Sequence, residues 1–218
     1  EQYYQKFIEK NANFFQTRQP SLLPMQKNQA FPRVIITIFA GRRNRLTILM
    51  KYLRLALSLN YIQEVHLWDY FRNDEDRSIA LKEMINPKIG IYLKPRITNQ
   101  DGWVDYYEYY DQHRLLYPND IIMKCDDDIV FIDVFKLPYF IRRFQEEDNL
   151  FDGVLFANII NNGITTHYQQ KMLKLLPEEE LGEFEYPEGG FCGSLWNSGQ
   201  KANKLHDHFL EHWEEIIR

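Results

Sequence analysis

Hydrophobic positions along the chain fall into short continuous runs, separated by segments in which they recur at helical spacing. The run RVIITIFA (33–40) is rich in β-branched residues, which is typical of a strand buried on both faces. The same pattern predicts further strands at 61–70, 89–93 and 121–125, and helices between them at 43–59, 74–85 and 104–116. Because strands and helices alternate, we predict an α/β fold with a mostly parallel sheet flanked by helices.

The pattern is less regular on either side of this series. Residues 1–31 predict a helix and then a polar connector that contains prolines. After residue 126 the sequence predicts, in order, a short strand at 129–133, a helix at 136–147, a strand at 153–160, a Gly-rich turn at 187–193 and a last helix from Gln200. We therefore expect a single domain over 1–218 whose second half carries irregular elaborations.

Composition excludes several classes of protein. With 218 residues, of which 44% are hydrophobic, the chain can bury a full core and is not intrinsically disordered. A net charge of −5 argues against a protein that coats nucleic acid or an anionic membrane. The longest strongly apolar run, Val34 to Ala40, is far shorter than the roughly 20 residues of a membrane-spanning helix.

The cysteines and the chain ends suggest a cellular context. Cys125 and Cys192 stand far apart and form no CxxC motif, which fits a reducing compartment, so we expect a cytoplasmic location. The chain begins at Glu1 without an initiator Met and ends at Arg218 within a helical pattern. We expect it to be one domain of a longer polypeptide that carries further domains.

The strand at 121–125 ends in three consecutive carboxylates, Asp126, Asp127 and Asp128. Ligands of open α/β sheets bind beyond the carboxyl ends of the strands. If the backbone stays extended, Asp126 and Asp128 share one face while Asp127 points elsewhere. Two carboxylates on one face suit Mg²⁺ or Mn²⁺ together with a phosphate. The alternative is a solvated acidic loop, which the apolar residues on both sides of the triplet disfavour.

Cations gather where the helix at 43–59 begins. Arg42, Arg43 and Arg45 stand against the helix dipole, at a cost of a few tenths to about 1 kcal/mol each. Two interpretations stay open: an anion such as a diphosphate meets them, or they form a solvated first turn. Asp69, which ends the second strand, is likewise either a ligand contact or a turn cap.

Two segments resemble a known family. KCDDDIVFID is similar to the DxD signature of GT-A glycosyltransferases, which use nucleotide sugars, and ITIFAGRRNR resembles the segment with which those enzymes hold the nucleotide. The resemblance runs from about Pro32 to Trp213 and extends to glycosyltransferase domains in multidomain proteins of large algal viruses. It implies a GT-A-like (Rossmann-like) fold, with a nucleotide-binding half at 32–128 and an acceptor-side half at 129–218.

The resemblance also implies an activity: metal-dependent transfer of a sugar from a nucleotide-diphosphate sugar, with UDP the expected nucleotide, to a hydroxyl of a glycan acceptor. Mn²⁺ or Mg²⁺ is the expected cofactor. The metal ligands would be Asp126, Asp128 and His206. Donor contacts are expected at Phe39, Ala40, Arg42, Arg45, Asp69, Asp126, Asp127 and Asn158, with Phe39 and Ala40 lining the base pocket.

The catalytic base stays open between Asp207 and Glu188, because either could reach an acceptor hydroxyl. His208 is the alternative to His206, and the apolar stripe of the last helix favours His206 as the inward residue. The helix at 104–116 carries four tyrosines in five positions, so some of them should be exposed and could stack on sugar, although core packing is the alternative for each one.

Two other classes of function compete with this interpretation. CDDDIV loosely resembles the strand end of phosphohydrolases with an aspartyl nucleophile, but three βα units precede it and no downstream Lys and acidic pair stands out. A non-catalytic glycan-binding module on the same fold is the other alternative. The acidic balance and the lack of a basic stripe disfavour a nucleic-acid partner.

Overall fold

The computed structural model describes residues 32–96, 103–146 and 198–216. The strands in this part of the chain are β1 (Val34–Ala40), β2 (Glu64–Asp69), β3 (Ile91–Lys94) and β4 (Ile121–Asp126). The helices are α1 (Arg43–Ser58), α2 (Asp74–Glu83), α3 (Trp103–Gln112), α4 (Leu137–Glu146) and α5 (Gly199–Ile216). Short 3₁₀ helices lie at Pro87–Ile89, Arg114–Leu116 and Val134–Lys136.

The four described strands form one sheet in the order β3-β2-β1-β4, and all neighbouring pairs are parallel. The predicted parallel α/β architecture is therefore confirmed. The chain moves outward from β1 through β2 to β3 and then returns to place β4 on the other side of β1. The strand order thus reverses between β1 and β4, and this is the position where open α/β sheets bind ligands.

The sequence of the central strand β1 is apolar because both faces of this strand are buried. Ile35 and Ile38 are completely buried, although alternate positions of a strand point to opposite faces. On α1 the buried stripe includes Leu46, Leu49 and Leu53, which follow each other at intervals of three and four residues. Burying such side chains supplies the main driving force for forming this half of the fold.

One predicted strand is absent. Residues 129–133 contain no strand, because the chain turns directly after β4: the amide of Ile129 donates to the carbonyl oxygen of Asp126 at 3.4 Å. The residues after the turn, 129–133, are half-buried in an irregular segment, and Val134 at the start of the next 3₁₀ helix is buried. The predictions for 1–31, 153–160 and 187–193 lie outside the described residues.

The chain divides into two compact units, Glu1–Tyr139 and Phe140–Arg218. The first unit contains the whole described sheet and the segment that follows β4. The second unit contains α5. Among the described helices none combines the length and the apolar character needed to cross a membrane.

Candidate functional site

The carboxyl ends of β1 and β4 lie side by side. Phe39 near the end of β1 pairs in register with Asp126 at the end of β4. The residues that follow the two strands are therefore neighbours: Gly41 and Arg42 after β1, and Asp127 and Asp128 after β4. The acidic triplet and the first arginine of the basic cluster meet at the edge where the strand order reverses.

Asp127 is the buried member of the triplet, with 7% of its surface exposed. Its Oδ2 accepts hydrogen bonds from the backbone amides of Gly41 at 2.7 Å and Arg42 at 2.6 Å. Its Oδ1 accepts from the Arg42 guanidinium at 2.9 Å. These amides belong to the turn that leads into α1, which begins at Arg43, and a negative charge near the start of a helix is favoured. Asp127 thus binds the β1–α1 turn from the turn that follows β4, which sequence reasoning did not anticipate.

Gly41 makes this close approach possible. A Cβ at this position would lie 3.2 Å from the carbonyl oxygen of Tyr70 and 3.4 Å from Oδ2 of Asp127. The first distance is tighter than ordinary van der Waals contact and involves backbone, which cannot move aside easily. A side chain at residue 41 would therefore loosen the contact between the turn and Asp127.

The arginines at the start of α1 are met by carboxylates of the protein itself. Arg42 donates to Oδ2 of Asp128 at 2.6 Å as well as to Asp127, and Arg45 lies 3.6 Å from the same Oδ2. Arg43 instead pairs with Asp76 at 3.3 Å. The cost of placing cations against the helix dipole is thus offset by these carboxylates, which is neither of the two interpretations left open by the sequence. The side chains of Arg42 and Arg45 remain 39% and 54% exposed, so a diphosphate in solution can reach them.

Asp126 occupies the last position of β4, and its side chain is 56% exposed. It forms an ion pair with Lys124 at 2.8 Å. Partial burial of Lys124 is the largest single influence and lowers its pKa, but the hydrogen bond with Asp126 and the attraction of nearby negative groups together raise the pKa of Lys124. Burial of the Cys125 thiol, together with the neighbouring carboxylates, raises the pKa of Cys125 to about 12, so this cysteine stays a thiol at neutral pH.

The extended backbone assumed for the triplet is wrong. β4 ends at Asp126, and Asp127 and Asp128 belong to the turn that follows. Strand alternation therefore does not place Asp126 and Asp128 on one face. Asp127 was expected to point away from the face of Asp126 and Asp128 and yet to contact the donor. It is buried, and both of its oxygens are engaged by the β1–α1 turn instead.

Asp69 lies at the carboxyl edge but is not the cap of the next helix. It pairs with Arg77 at 2.7 Å and its side chain is 15% exposed. The cap of α2 is Asn73, whose side chain accepts from the amide of Asp76 at 2.7 Å. The sequence left Asp69 as either a ligand contact or a turn cap. In the structure its carboxylate instead forms an ion pair with Arg77.

The two predicted base-pocket residues differ in what they can offer a ligand. The side chain of Ala40 is completely buried. Phe39 stacks on Tyr70, with ring centroids 3.7 Å apart and planes inclined by 19°. The guanidinium of Arg96 lies over the other ring of this stack, 4.6 Å from the centroid of Tyr70. Phe39 therefore belongs to an aromatic stack at the carboxyl edge, whereas Ala40 can contribute only its backbone.

The four tyrosines of α3 divide between core and surface, which confirms that they cannot all be core. Tyr106 is 3% exposed and packs with Trp68, whereas Tyr107 is 53% exposed. Tyr109 and Tyr110 are half-buried. Tyr107 is thus the member with a face available to a ligand.

A polar cluster at the opposite, amino edge of the sheet escaped the sequence interpretation. His66 is buried, and its Nε2 lies 2.8 Å from Glu64 while its Nδ1 contacts the hydroxyl of Tyr110. Arg33 pairs with Glu64 at 2.8 Å and also with Asp120. Burial lowers the pKa of His66 to about 4, so the neutral ring donates from Nε2 to Glu64. A histidine inside an apolar strand was the signal available in the sequence.

The second unit contains the predicted residues of α5. Phe209 is 6% exposed, which confirms that it lies on the buried stripe. Asp207 is exposed, and His206 and His208 are both half-buried, so burial does not separate the two histidines. The rings of His208 and His212 stack with centroids 4.1 Å apart. Glu188 and Asn158 lie outside the described residues.

Comparison of the chain with family models, curated proteins and solved structures found no match. In the described ranges no group of three or more His, Cys, Asp or Glu side chains could hold a metal ion by itself. The chemistry of the site is therefore that of its own side chains. At the reversal point of the parallel sheet the partly exposed carboxylate of Asp128 contacts the guanidinium groups of Arg42 and Arg45, and the exposed carboxylate of Asp126 stands at the end of β4.

Proposed function

We propose that the chain is a metal-dependent glycosyltransferase that transfers a sugar from a nucleotide-diphosphate sugar, with UDP as the nucleotide, to a hydroxyl of a glycan acceptor. One observation carries the proposal: the DxD triplet, which begins at the last residue of β4, meets Arg42 after β1 at the point where the strand order reverses. Charges of both signs at that edge suit a ligand that combines a diphosphate with a cation.

Asp126 and Asp128 have the donor chemistry that a divalent metal needs, because carboxylate oxygens are hard ligands. Ions such as Mg²⁺ are often held by one or two carboxylates together with substrate phosphates. When bound, the ion would stabilise negative charge on the diphosphate leaving group. His206 in the second unit is the proposed additional ligand.

The remaining roles fall to side chains at the same edge. Arg42 and Arg45 would donate charge-assisted hydrogen bonds to the diphosphate, since both are partly exposed. Phe39 would line the base pocket through the stack that it forms with Tyr70. Tyr107 would offer an aromatic face to a sugar. Asp207 and Glu188 are the proposed alternatives for the base that deprotonates the acceptor.

Thermal unfolding with added nucleotides tests this function. UDP with Mn²⁺ should raise the melting temperature, because a ligand at a hundred times its Kd stabilises the folded state by about 2.7 kcal/mol. Mn²⁺ alone and UDP with EDTA are the controls and should have little effect. If no nucleoside diphosphate with Mn²⁺ or Mg²⁺ shifts the transition, the proposal is wrong.

The same protein preparation separates the competing functions. Turnover of p-nitrophenyl phosphate would support an aspartyl phosphohydrolase. Binding of glycans without any response to nucleotides would support a non-catalytic module. Release of UDP from a UDP-sugar in the presence of an acceptor glycan is the result expected of the transferase.

A further inference from the structure

The middle carboxylate of the triplet has a different environment from its two neighbours. Asp127 is buried and both of its oxygens accept hydrogen bonds from the β1–α1 turn, whereas Asp126 and Asp128 have side chains that are 56% and 36% exposed. A buried carboxylate that is fully engaged by the protein is poorly placed to contact a substrate directly.

We propose that Asp127 is a positioning residue: it fastens the β1–α1 turn to the end of β4 and holds the Arg42 guanidinium at the edge of the sheet, without contacting the nucleotide itself. The part that concerns the nucleotide rests on the function proposed above. The fastening of the turn does not depend on it.

The contacts of Asp127 explain how one carboxylate can fasten the β1–α1 turn and also hold the Arg42 guanidinium. Oδ2 accepts hydrogen bonds from the amides of Gly41 and Arg42, which fixes the path of the backbone. Oδ1 accepts a hydrogen bond from Nη1 of Arg42, which fixes the direction of the Arg42 side chain. The same Nη1 reaches Asp128 at 2.6 Å, so Arg42 is held between a buried carboxylate and a partly exposed one.

This arrangement has a consequence for how the site would bind an anion. Many nucleotide-binding folds use the backbone amides at the start of the first helix to hold a phosphate. Here the amides of Gly41 and Arg42 already donate hydrogen bonds to Asp127. We therefore expect binding of a diphosphate to depend on the side chains of Arg42 and Arg45 rather than on these amides.

Asp127→Asn weakens both tasks of the carboxylate. An Asn side chain has one acceptor oxygen and one amino group, so it cannot accept from the backbone amides and from the guanidinium at the same time. A neutral oxygen left on the turn accepts the two amides more weakly than a carboxylate does, and the amino group then faces Arg42 and releases its side chain. Asp111→Asn is the matched control, because Asp111 is a surface residue with a side chain that is 77% exposed and only a 3.4 Å pair with Arg114.

Two measurements test the proposal. Calorimetry with UDP and Mn²⁺ should show that Asp127→Asn binds UDP about tenfold more weakly than the unmodified protein. The double variant Asp127→Asn, Arg42→Ala should bind UDP less than about twofold more weakly than Arg42→Ala alone, because Asp127 acts through Arg42. Hydrogen exchange should be about tenfold faster at the Gly41 and Arg42 amides in Asp127→Asn, and unchanged in Asp111→Asn. Should Asp127→Asn fail to fold, Gly41→Ala disturbs the same contact and takes its place in the cycle.

Each outcome decides one part of the proposal. Equal weakening in the presence and absence of Arg42 would mean that Asp127 contacts the nucleotide directly, and unchanged affinity would mean that it positions nothing. Either result overturns the proposal. If the unmodified chain binds no UDP, the function proposed above fails, and hydrogen exchange alone then decides: faster exchange at the two amides supports the fastening role, and unchanged exchange overturns it.

Discussion

Phe39 in β1 and Asp126 in β4 are register partners in the parallel sheet. This pairing determines which residues meet beyond the strands, because parallel strands end at the same edge. It brings the β1–α1 turn against the acidic triplet, although 86 positions separate Gly41 from Asp127 along the chain. The candidate site is therefore a product of strand order, and its charges belong to two segments of the sequence that lie far apart.

Arg42→Ala should weaken the binding of UDP by roughly 1.5–3 kcal/mol, the range for a hydrogen bond to a charged group. The variant should also be less stable, because it removes the guanidinium from the buried Oδ1 of Asp127. Calorimetry on the folded variant measures the first effect and urea unfolding the second. Lys51→Ala, at an exposed position of the same helix, is the control. Unchanged affinity for UDP would show that Arg42 serves the turn alone.

Gly41→Ala should destabilise the fold by about 1–3 kcal/mol, the usual cost of adding a methyl group to a tightly packed position. Its Cβ would meet the backbone oxygen of Tyr70 at 3.2 Å. Equilibrium unfolding in urea measures the change. Gly199→Ala is a suitable control, because a Cβ there meets no atom within 4 Å. Equal stability of the two variants would mean that the turn is looser than the contacts indicate.

His66 should make the first unit less stable as the pH falls. Its folded pKa is about 4 against an ordinary 6.5, so the unfolded chain takes up a proton first. Stability from this residue is complete above pH 6.5 and is lost as the pH falls toward 4, by about 2 kcal/mol at pH 5. His66→Gln should show a shallower loss between pH 7 and pH 5 in urea unfolding. Parallel losses in both proteins would contradict the low pKa.

His206 and His208, two of the three histidines of α5, should differ in their effect on turnover. We predict that His206→Ala cuts Mn²⁺-dependent turnover about tenfold, or roughly 1.4 kcal/mol, while His208→Ala is nearly silent. The reason is the rotation of the helix: Phe209 lies on the buried side, and His206 and Leu210 share the face beside it. The reverse result would mean that the rotation is wrong. If both variants are silent, Glu188 becomes the first candidate for the base.

The local pattern of hydrophobic residues predicted the positions of β1 and α1 well. The strand order depends on contacts between distant segments, which the local pattern does not contain. The β-branched run of β1 and the three-to-four spacing of α1 each encode burial directly, so both elements were found within one or two residues. The order β3-β2-β1-β4 depends on packing between distant segments and could not be read from spacing. The chain turn after Asp126 was missed because the apolar residues at 129–133 look like a strand, although they are half-buried without forming one.

The triplet illustrates the same limit at the level of single residues. The sequence shows three adjacent carboxylates, and Asp127 was expected to contact the donor together with Asp126. The sequence does not contain the information that the partners of Asp127 are the amides of Gly41 and Arg42, because that contact exists only once β4 lies beside β1. For the same reason the sequence left open whether the arginines meet an external anion or form a solvated first turn, whereas Arg42 in fact pairs with Asp127 and Asp128.

Calorimetric titration of the chain with UDP tests the central claim, a metal-dependent nucleotide site at the ends of β1 and β4. The unmodified protein should bind UDP in Mn²⁺ and lose that binding in EDTA. Asp128→Asn keeps the volume of the side chain and removes its charge, so the variant should fold normally and fail to bind UDP in Mn²⁺. Equal affinity for UDP in Mn²⁺ and in EDTA, or unchanged affinity in Asp128→Asn, would contradict the account.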